Sequence, residues 1–115
     1  MNTKAKGRRQ DAKSKKLALE HGGVDATVST ASLGAFDIIV WGRGGIVFIQ
    51  NKTNRPPDWF EQLQLMKAIV PRNAVKLILV WKDRIKFPDF YVVTDNLIQP
   101  YEEDEARRIL EKALR

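Results

Sequence analysis

Apolar and polar residues change rhythm along this chain in a way that separates helices from strands. Residues 4–20 are rich in lysine and good helix formers, and Gly22-Gly23 follow, where glycine accepts a left-handed C-cap; a basic helix is predicted there. Residues 24–30 alternate as a short strand. Residues 36–41 and 46–51 are β-rich runs separated by Gly42-Arg43-Gly44-Gly45, a hairpin signal. Pro56-Pro57 interrupts the sheet, and Asp58 with Glu61 forms a capping-box pattern that opens a helix running to about Val70, where Pro71 ends it. Trp59, Leu63, Met66 and Val70 are spaced as its buried stripe. Residues 75–81 read as a central strand and 90–93 as another. A last amphipathic helix over 102–114 presents Ala106, Ile109, Leu110 and Ala113 inward. The order is α-β-β-β-α-β-β-α, an α/β (α+β) fold with a central mixed β-sheet flanked by helices.

The chain has 115 residues and no repeats or linker-like tracts, which predicts one domain over 1–115. No apolar run approaches the roughly 18 residues that cross a bilayer, and the charged N-terminus is not followed by a signal-peptide core. Cysteine is absent, which excludes disulfides and thiolate metal sites and fits an intracellular protein. Charge adds more. Lys and Arg total 20 against 14 acids, a net charge of +6. The excess is concentrated in residues 1–16, either a flexible arm or the start of the helix, where Lys4, Lys6, Arg8, Arg9, Lys13, Lys15 and Lys16 face only Asp11. The C-terminal segment is nearly balanced. A one-sided basic patch attracts a polyanion, so nucleic acid is the leading partner; the plainer reading is a solvated helix face.

With Arg43-Gly44 as the hairpin tip, Asp37 falls opposite Gln50. Alternation places Gln50 and Lys52 on the same face and Asn51 on the other, so Asp37, Gln50 and Lys52 converge at the open end. Both faces are otherwise apolar: Phe36, Ile38, Val40, Val47 and Ile49 on one, Ile39, Trp41, Ile46 and Phe48 on the other. Polar groups at the end of such a strand pair need partners, water or a metal. A carboxylate and an amide oxygen suit a hard cation such as Mg²⁺, with Lys52 to position a nucleophile or stabilise developing charge. The competing reading is a surface pair between Asp37 and Lys52.

Phe36-Asp37-Ile38-Ile39 followed by Phe48-Ile49-Gln50-Asn51-Lys52 resembles the D…(E/Q)xK core of the PD-(D/E)XK nucleases. Lys6-Gly7-Arg8-Arg9-Gln10-Asp11, a helix, and then Ser32-Leu33-Gly34-Ala35-Phe36-Asp37 resemble the archaeal and viral Holliday-junction resolvases of that superfamily. The likeness covers about the first 70 residues. It implies a restriction-endonuclease-like core and a Mg²⁺- or Mn²⁺-dependent endodeoxyribonuclease that nicks four-way junctions in pairs. It also implies a homodimer, and a location in the cytoplasm of a prokaryote or a virus-infected cell. The catalytic set it implies is Asp37, Gln50, Lys52, Asp11 and Ser32 (or Ser29), with Asp37, Gln50 and Asp11 on the metal. DNA would be met by Lys4, Lys6, Arg8, Arg9, Lys13 and Lys16, and Gln62 would help orient the site. One departure is Gln50, where glutamate is usual; the amide still coordinates but lowers the site's negative charge.

Glu61 is explained by the capping box, although it is an alternative donor. His21, beside the glycine pair at a helix end where a cation is favourable, reads as a cap rather than a catalytic base. Trp59 and Trp81 read as core or interface and Trp41 as an exposed tip. Lys82, Arg84 and Lys86 either extend a DNA surface or keep an edge strand soluble. Two other functions compete: a nuclease of the same fold cutting duplex, flap or single-stranded DNA, and a catalytically inactive DNA-binding protein, for which Gln50 is the motive.

Overall fold

The computed structural model describes residues 3–28 and 35–115, with side chains from residue 9 onward. In chain order the elements are α1 (Thr3–Glu20), β1 (Gly23–Val28), β2 (Ile38–Gly42), β3 (Ile46–Thr53) and α2 (Trp59–Lys67). They continue with β4 (Ala74–Trp81), β5 (Asp89–Val93), β6 (Ile98–Tyr101) and α3 (Glu103–Leu114). The strands form one six-stranded mixed sheet in sequence order, antiparallel except for the parallel pair β3–β4. A tight turn cannot join parallel neighbours, and α2 is the crossover between them. The sixth strand, β6, lies outside the predicted order. It contains Pro100, which has no N–H for a ladder and is tolerated because β6 is an edge strand.

Two apolar layers follow from strand alternation. Leu17 and Ala18 of α1 and Ala106, Leu110 and Leu114 of α3 pack on Ile38, Val40, Val47, Ile49, Leu77 and Leu79. On the opposite face, Leu65 of α2 packs with Phe36, Ile78, Val80 and Val93. The hairpin register is the expected one, with Ile38↔Ile49, Ile39↔Phe48, Val40↔Val47 and Trp41↔Ile46. Phe36 departs from its expected face. The chain bends ahead of β2, and Phe36 joins the α2 side, edge-on to Phe48 with centroids 5.4 Å apart.

The hairpin glycines are required by close approach. A Cβ on Gly42 would overlap the Leu114 carbonyl oxygen, and one on Gly45 would overlap that of Ala113. Gly44 N–H donates to the Leu114 carbonyl at 3.0 Å, satisfying one of the carbonyls that a helix end leaves free. The end of α3 thereby clamps the closed end of the hairpin whose open end carries Asp37 and Gln50.

α2 is shorter than its sequence pattern. The capping box is present: Asp58 Oδ1 accepts the Glu61 N–H, and Glu61 Oε1 accepts the Asp58 N–H. The helix stops at Lys67, and Ala68 is extended. Leu65 is the fully buried residue of the helix; of the predicted stripe Met66 and Val70 pack against the core, while Trp59 is 68% exposed. The stop has a cause in β4. Lys76 is buried, and its Nζ donates to the carbonyls of Leu65, Met66 and Ala68 at 2.8–2.9 Å. Three acceptors call for the three N–H bonds of an ammonium, although burial pulls the Lys76 pKa below the usual lysine range. Lys76→Met should lower stability by about 2–4 kcal/mol in urea unfolding, because these carbonyls lose a charged partner.

His21 caps the end of α1. It is buried; Nδ1 lies 2.8 Å from the Leu17 carbonyl and Nε2 lies 3.2 Å from Arg107. Arginine only donates, so Nε2 accepts from Arg107 and the Nδ1–H donates to the Leu17 carbonyl. Among the described helices, none is long and apolar enough to cross a membrane.

Candidate active site at the end of strand β3

The regular β2–β3 ladder stops at Ile38↔Ile49, one residue before the expected Asp37–Gln50 pair. Asp37 donates its N–H to the Ile49 carbonyl at 2.8 Å, and its Oδ2 accepts the Asn51 N–H at 2.7 Å. The carboxylate thus replaces a ladder carbonyl at the end of β3, which fixes its position against the strand.

The two faces of β3 beyond this point differ. Gln50 and Lys52 point to the α2 side. Lys52 Nζ pairs with Glu61 Oε2 at 2.5 Å, while the other Glu61 oxygen closes the capping box. Asn51 points to α1, where its Nδ2 donates to Asp11 Oδ1 at 2.9 Å and its Oδ1 accepts from Ser14 Oγ at 2.5 Å. Trp81 Nε1 donates to Ser14 Oγ at 3.1 Å, and Gln10 Nε2 donates to Thr53 Oγ1 at 3.1 Å. α1 is docked on β3 through this polar seam, with Ser14 fully buried. Asn51 therefore holds both carboxylates, Asp37 by its main chain and Asp11 by its side chain.

The electrostatics follow from that arrangement. The Asp37 carboxyl is pushed above the usual carboxylate range, first by burial and then by the negative charges of Asp11 and Glu61; the Asn51 N–H and the Lys52 ammonium pull the other way. Three carboxylates share the neighbourhood with one lysine. Gln50 Oε1 is buried and has no hydrogen-bond partner among the described residues, an expensive state for an amide oxygen unless something fills it. A hard cation is such a partner, since a carboxylate and an amide oxygen are donors of the kind it takes, the remaining positions falling to water or phosphate. Among the described residues no three Asp, Glu, His or Cys side chains form a metal cage by themselves.

Of the residues singled out by sequence, Asp37, Gln50, Lys52 and Asp11 are gathered around this strand end. Ser32 and Ser29 lie outside the described residues, as do the side chains of Lys4, Lys6 and Arg8. Arg9, Lys13 and Lys16 are exposed on α1. Gln62 donates to the Pro57 carbonyl at 2.9 Å and braces the turn into α2. Its neighbour Glu61 is the residue that reaches Lys52. The capping role that the sequence gives Glu61 is present, and its second carboxylate oxygen takes the Lys52 ammonium. Alternation puts Asn51 on the face opposite Lys52, and the signal that finds it is the polar run Gln50-Asn51-Lys52-Thr53 on a strand otherwise apolar.

The chain is thus a mixed α/β protein with a carboxylate, amide and lysine cluster at a strand end. No protein-family model matches it, and no curated protein or solved structure matches it either.

Proposed function

We propose that this chain is a metal-dependent endodeoxyribonuclease of the PD-(D/E)XK type, built on a restriction-endonuclease-like core, and that its substrate is branched DNA, first of all the Holliday junction. The observation that carries the hydrolase reading is at the end of β3, where the Asp37 carboxylate is held on the Asn51 N–H, next in the chain to Gln50, whose buried Oε1 has no hydrogen-bond partner among the described residues. Asp11 adds negative charge from α1. Bound there, Mg²⁺ or Mn²⁺ supplies Lewis-acid polarisation of a phosphodiester and activation of water. In the reaction one water oxygen bonds to phosphorus, the bridging P–O bond breaks, and the departing sugar oxygen takes up a proton. Lys52 donates to the charge that builds on the phosphoryl oxygens, and Glu61 holds the ammonium beside Asp37 until substrate arrives. The basic face of α1 brings the polyanion to that end of the sheet. Paired nicks require two sites at fixed spacing, which a homodimer provides.

The Lys52–Glu61 ion pair favours a second reading, a DNA-binding protein without catalysis, because it commits the ammonium to a carboxylate. A synthetic four-way junction, a matched duplex, a flap and a single strand, each with Mg²⁺, Mn²⁺ or chelator, separate the readings. Symmetric metal-dependent nicks in the junction alone are expected. Cutting of the other substrates would assign the same site to another DNA form, and binding without cleavage on all four would establish the inactive binder.

Gln50→Glu gives a sharper test of the ligand position. A fourth carboxylate should lower the melting temperature in chelator, and Mn²⁺ should restore it, with cation affinity raised roughly tenfold and cleavage equal or faster. Unchanged cation affinity would place the metal elsewhere.

A further inference from the structure

On the α1 side of the sheet, a cleft of about 700 Å³ opens between α1 and the loop joining β4 to β5. Lys13, Lys16, Lys82, Arg84, Lys86 and Arg107 line it, against Glu20 as the single carboxylate of the lining. Lys82 and Arg107 are paired with Asp89 and Glu103, both at 2.8 Å. The other four cations have no carboxylate partner among the described residues. Such unbalanced positive charge facing one cleft favours a polyanion.

The floor is apolar. Leu17, Trp81, Ile85 and Phe87 contribute to it, and Ile85 is 56% exposed. Lys13 Nζ sits 5.6 Å from the centroid of the Trp81 ring, and the Arg107 guanidinium 4.9 Å from that of Phe87. The loop is held in place: Asn54 Nδ2 donates to Asp83 Oδ2 at 3.2 Å, and Asp83 N–H donates back to Asn54 Oδ1 at 3.1 Å. Arg84 follows in a left-handed backbone conformation, φ 67°, an uncommon state for a non-glycine residue. The latch joins the loop to the segment just past Lys52 and Thr53. Trp81 is common to both regions, its ring in the cleft wall and its Nε1 in the seam that holds Asn51.

We infer that this cleft binds an unpaired nucleic-acid strand, its phosphates on the lysines and Arg84 and a base laid on Ile85 and Phe87. Cations with an apolar floor are how single strands are gripped without sequence preference. A duplex offers phosphates but keeps its base faces stacked, and a cleft within the range of small-ligand sites, about 300–1,000 Å³, admits roughly one or two nucleotides. The inference adds a contact with unpaired strand beside the proposed hydrolase site and rests on that reading only for the reaction; the binding needs no metal.

The test is anisotropy of a labelled oligothymidylate in chelator, over a range of salt, beside a matched duplex and a polyglutamate competitor. The Arg84→Ala/Lys86→Ala double variant should lose about tenfold in single-strand affinity, with the salt slope reduced by about 1 to 1.5. Ile85→Ser should lose about fivefold for the single strand with the slope unchanged and duplex binding intact. All three positions are exposed, so the folded fraction should not move; circular dichroism checks this. Equal losses for duplex and single strand, displacement by polyglutamate as efficient as by oligonucleotide, or unaltered binding in both variants would each overturn the inference. Wild-type single-strand binding with no metal-dependent cleavage of the four-way junction, duplex, flap or single strand would overturn the hydrolase reading and leave this one standing; cleavage of any of them with unaltered single-strand binding in the variants would do the reverse.

Discussion

Asp37→Asn should move activity and stability in opposite directions. Cleavage is expected to fall by about 10³-fold, because the variant loses the charged member of the oxygen pair. The melting temperature at neutral pH should rise. Asp37 is driven above the usual carboxylate range by burial first and by Asp11 and Glu61 next. A group whose folded pKa is raised favours folding when protonated, so its contribution is full below the unfolded pKa and is lost as pH rises through the folded one. At neutral pH the carboxylate is therefore ionised at a cost to the fold, and asparagine removes that cost while still accepting the Asn51 N–H. Melting curves from pH 3 to 8 check this: the variant's advantage should shrink as pH falls through the carboxylate range. A variant less stable than wild type at neutral pH would mean that Asp37 is held there as a favourable structural anion. A carboxylate that costs stability is what a functional site would keep, since binding or chemistry compensates for it.

Gly42→Ala should be the most damaging glycine-to-alanine change among the described residues. The added carbon meets the carbonyl oxygens of Leu114 and Gly22, both main chain, with no flexible side-chain end to yield. Either α3 lifts from the hairpin, or β2 bends away from β1. Overpacking against main chain belongs among the large-effect mechanisms, and a loss of at least about 3 kcal/mol is expected, a large part of a total of about 5–15. Arg43→Ala, at the exposed tip one residue on, should change stability by less than about 0.5 kcal/mol. Urea midpoints of the two variants measure the contrast. If Gly42→Ala also cleaves poorly at temperatures where it is folded, the clamp at the closed end governs the geometry of the open end.

The hairpin was legible in sequence because two independent signals agree there. Period-two apolar runs on either side and a glycine-rich tip leave one register that keeps Ile38, Val40, Val47 and Ile49 together, and that register is the one observed. α1 and α3 were legible for similar reasons, a basic run stopped by Gly22 and an amphipathic repeat. Where the pattern failed, a tertiary contact had overridden it. α2 reads as continuing to Val70, but Lys76 from the neighbouring strand collects its last carbonyls and the chain turns out after Lys67. Trp59 has the spacing of a buried residue, yet the inward face is set by Leu65 and by the reach of Glu61 to Lys52. Phe36 follows alternation only if the strand begins before it, and the bend that places the Asp37 carboxylate on the Asn51 N–H prevents that. β6 is four residues with a proline, and only pairing with β5 makes it a strand.

The same contrast holds in the site. Asp37, Gln50 and Lys52 were legible because one strand and one hairpin bring them together. Glu61 and Asn51 were not, since their part depends on a helix crossing from the far side of the sheet and on a polar seam with α1. Neither leaves a pattern along the chain.

The central claim is that Asp37 and Gln50 hold a divalent cation at the end of β3. Amide NMR spectra recorded with substoichiometric Mn²⁺ test it most directly, since paramagnetic broadening reports which amides lie near the ion. Broadening centred on Asp37, Gln50 and Asn51, abolished in Asp37→Asn and displaced by excess Mg²⁺, is the predicted result. Broadening centred on the acidic turn at Glu102–Glu105, or spread evenly and unchanged in Asp37→Asn, would contradict it.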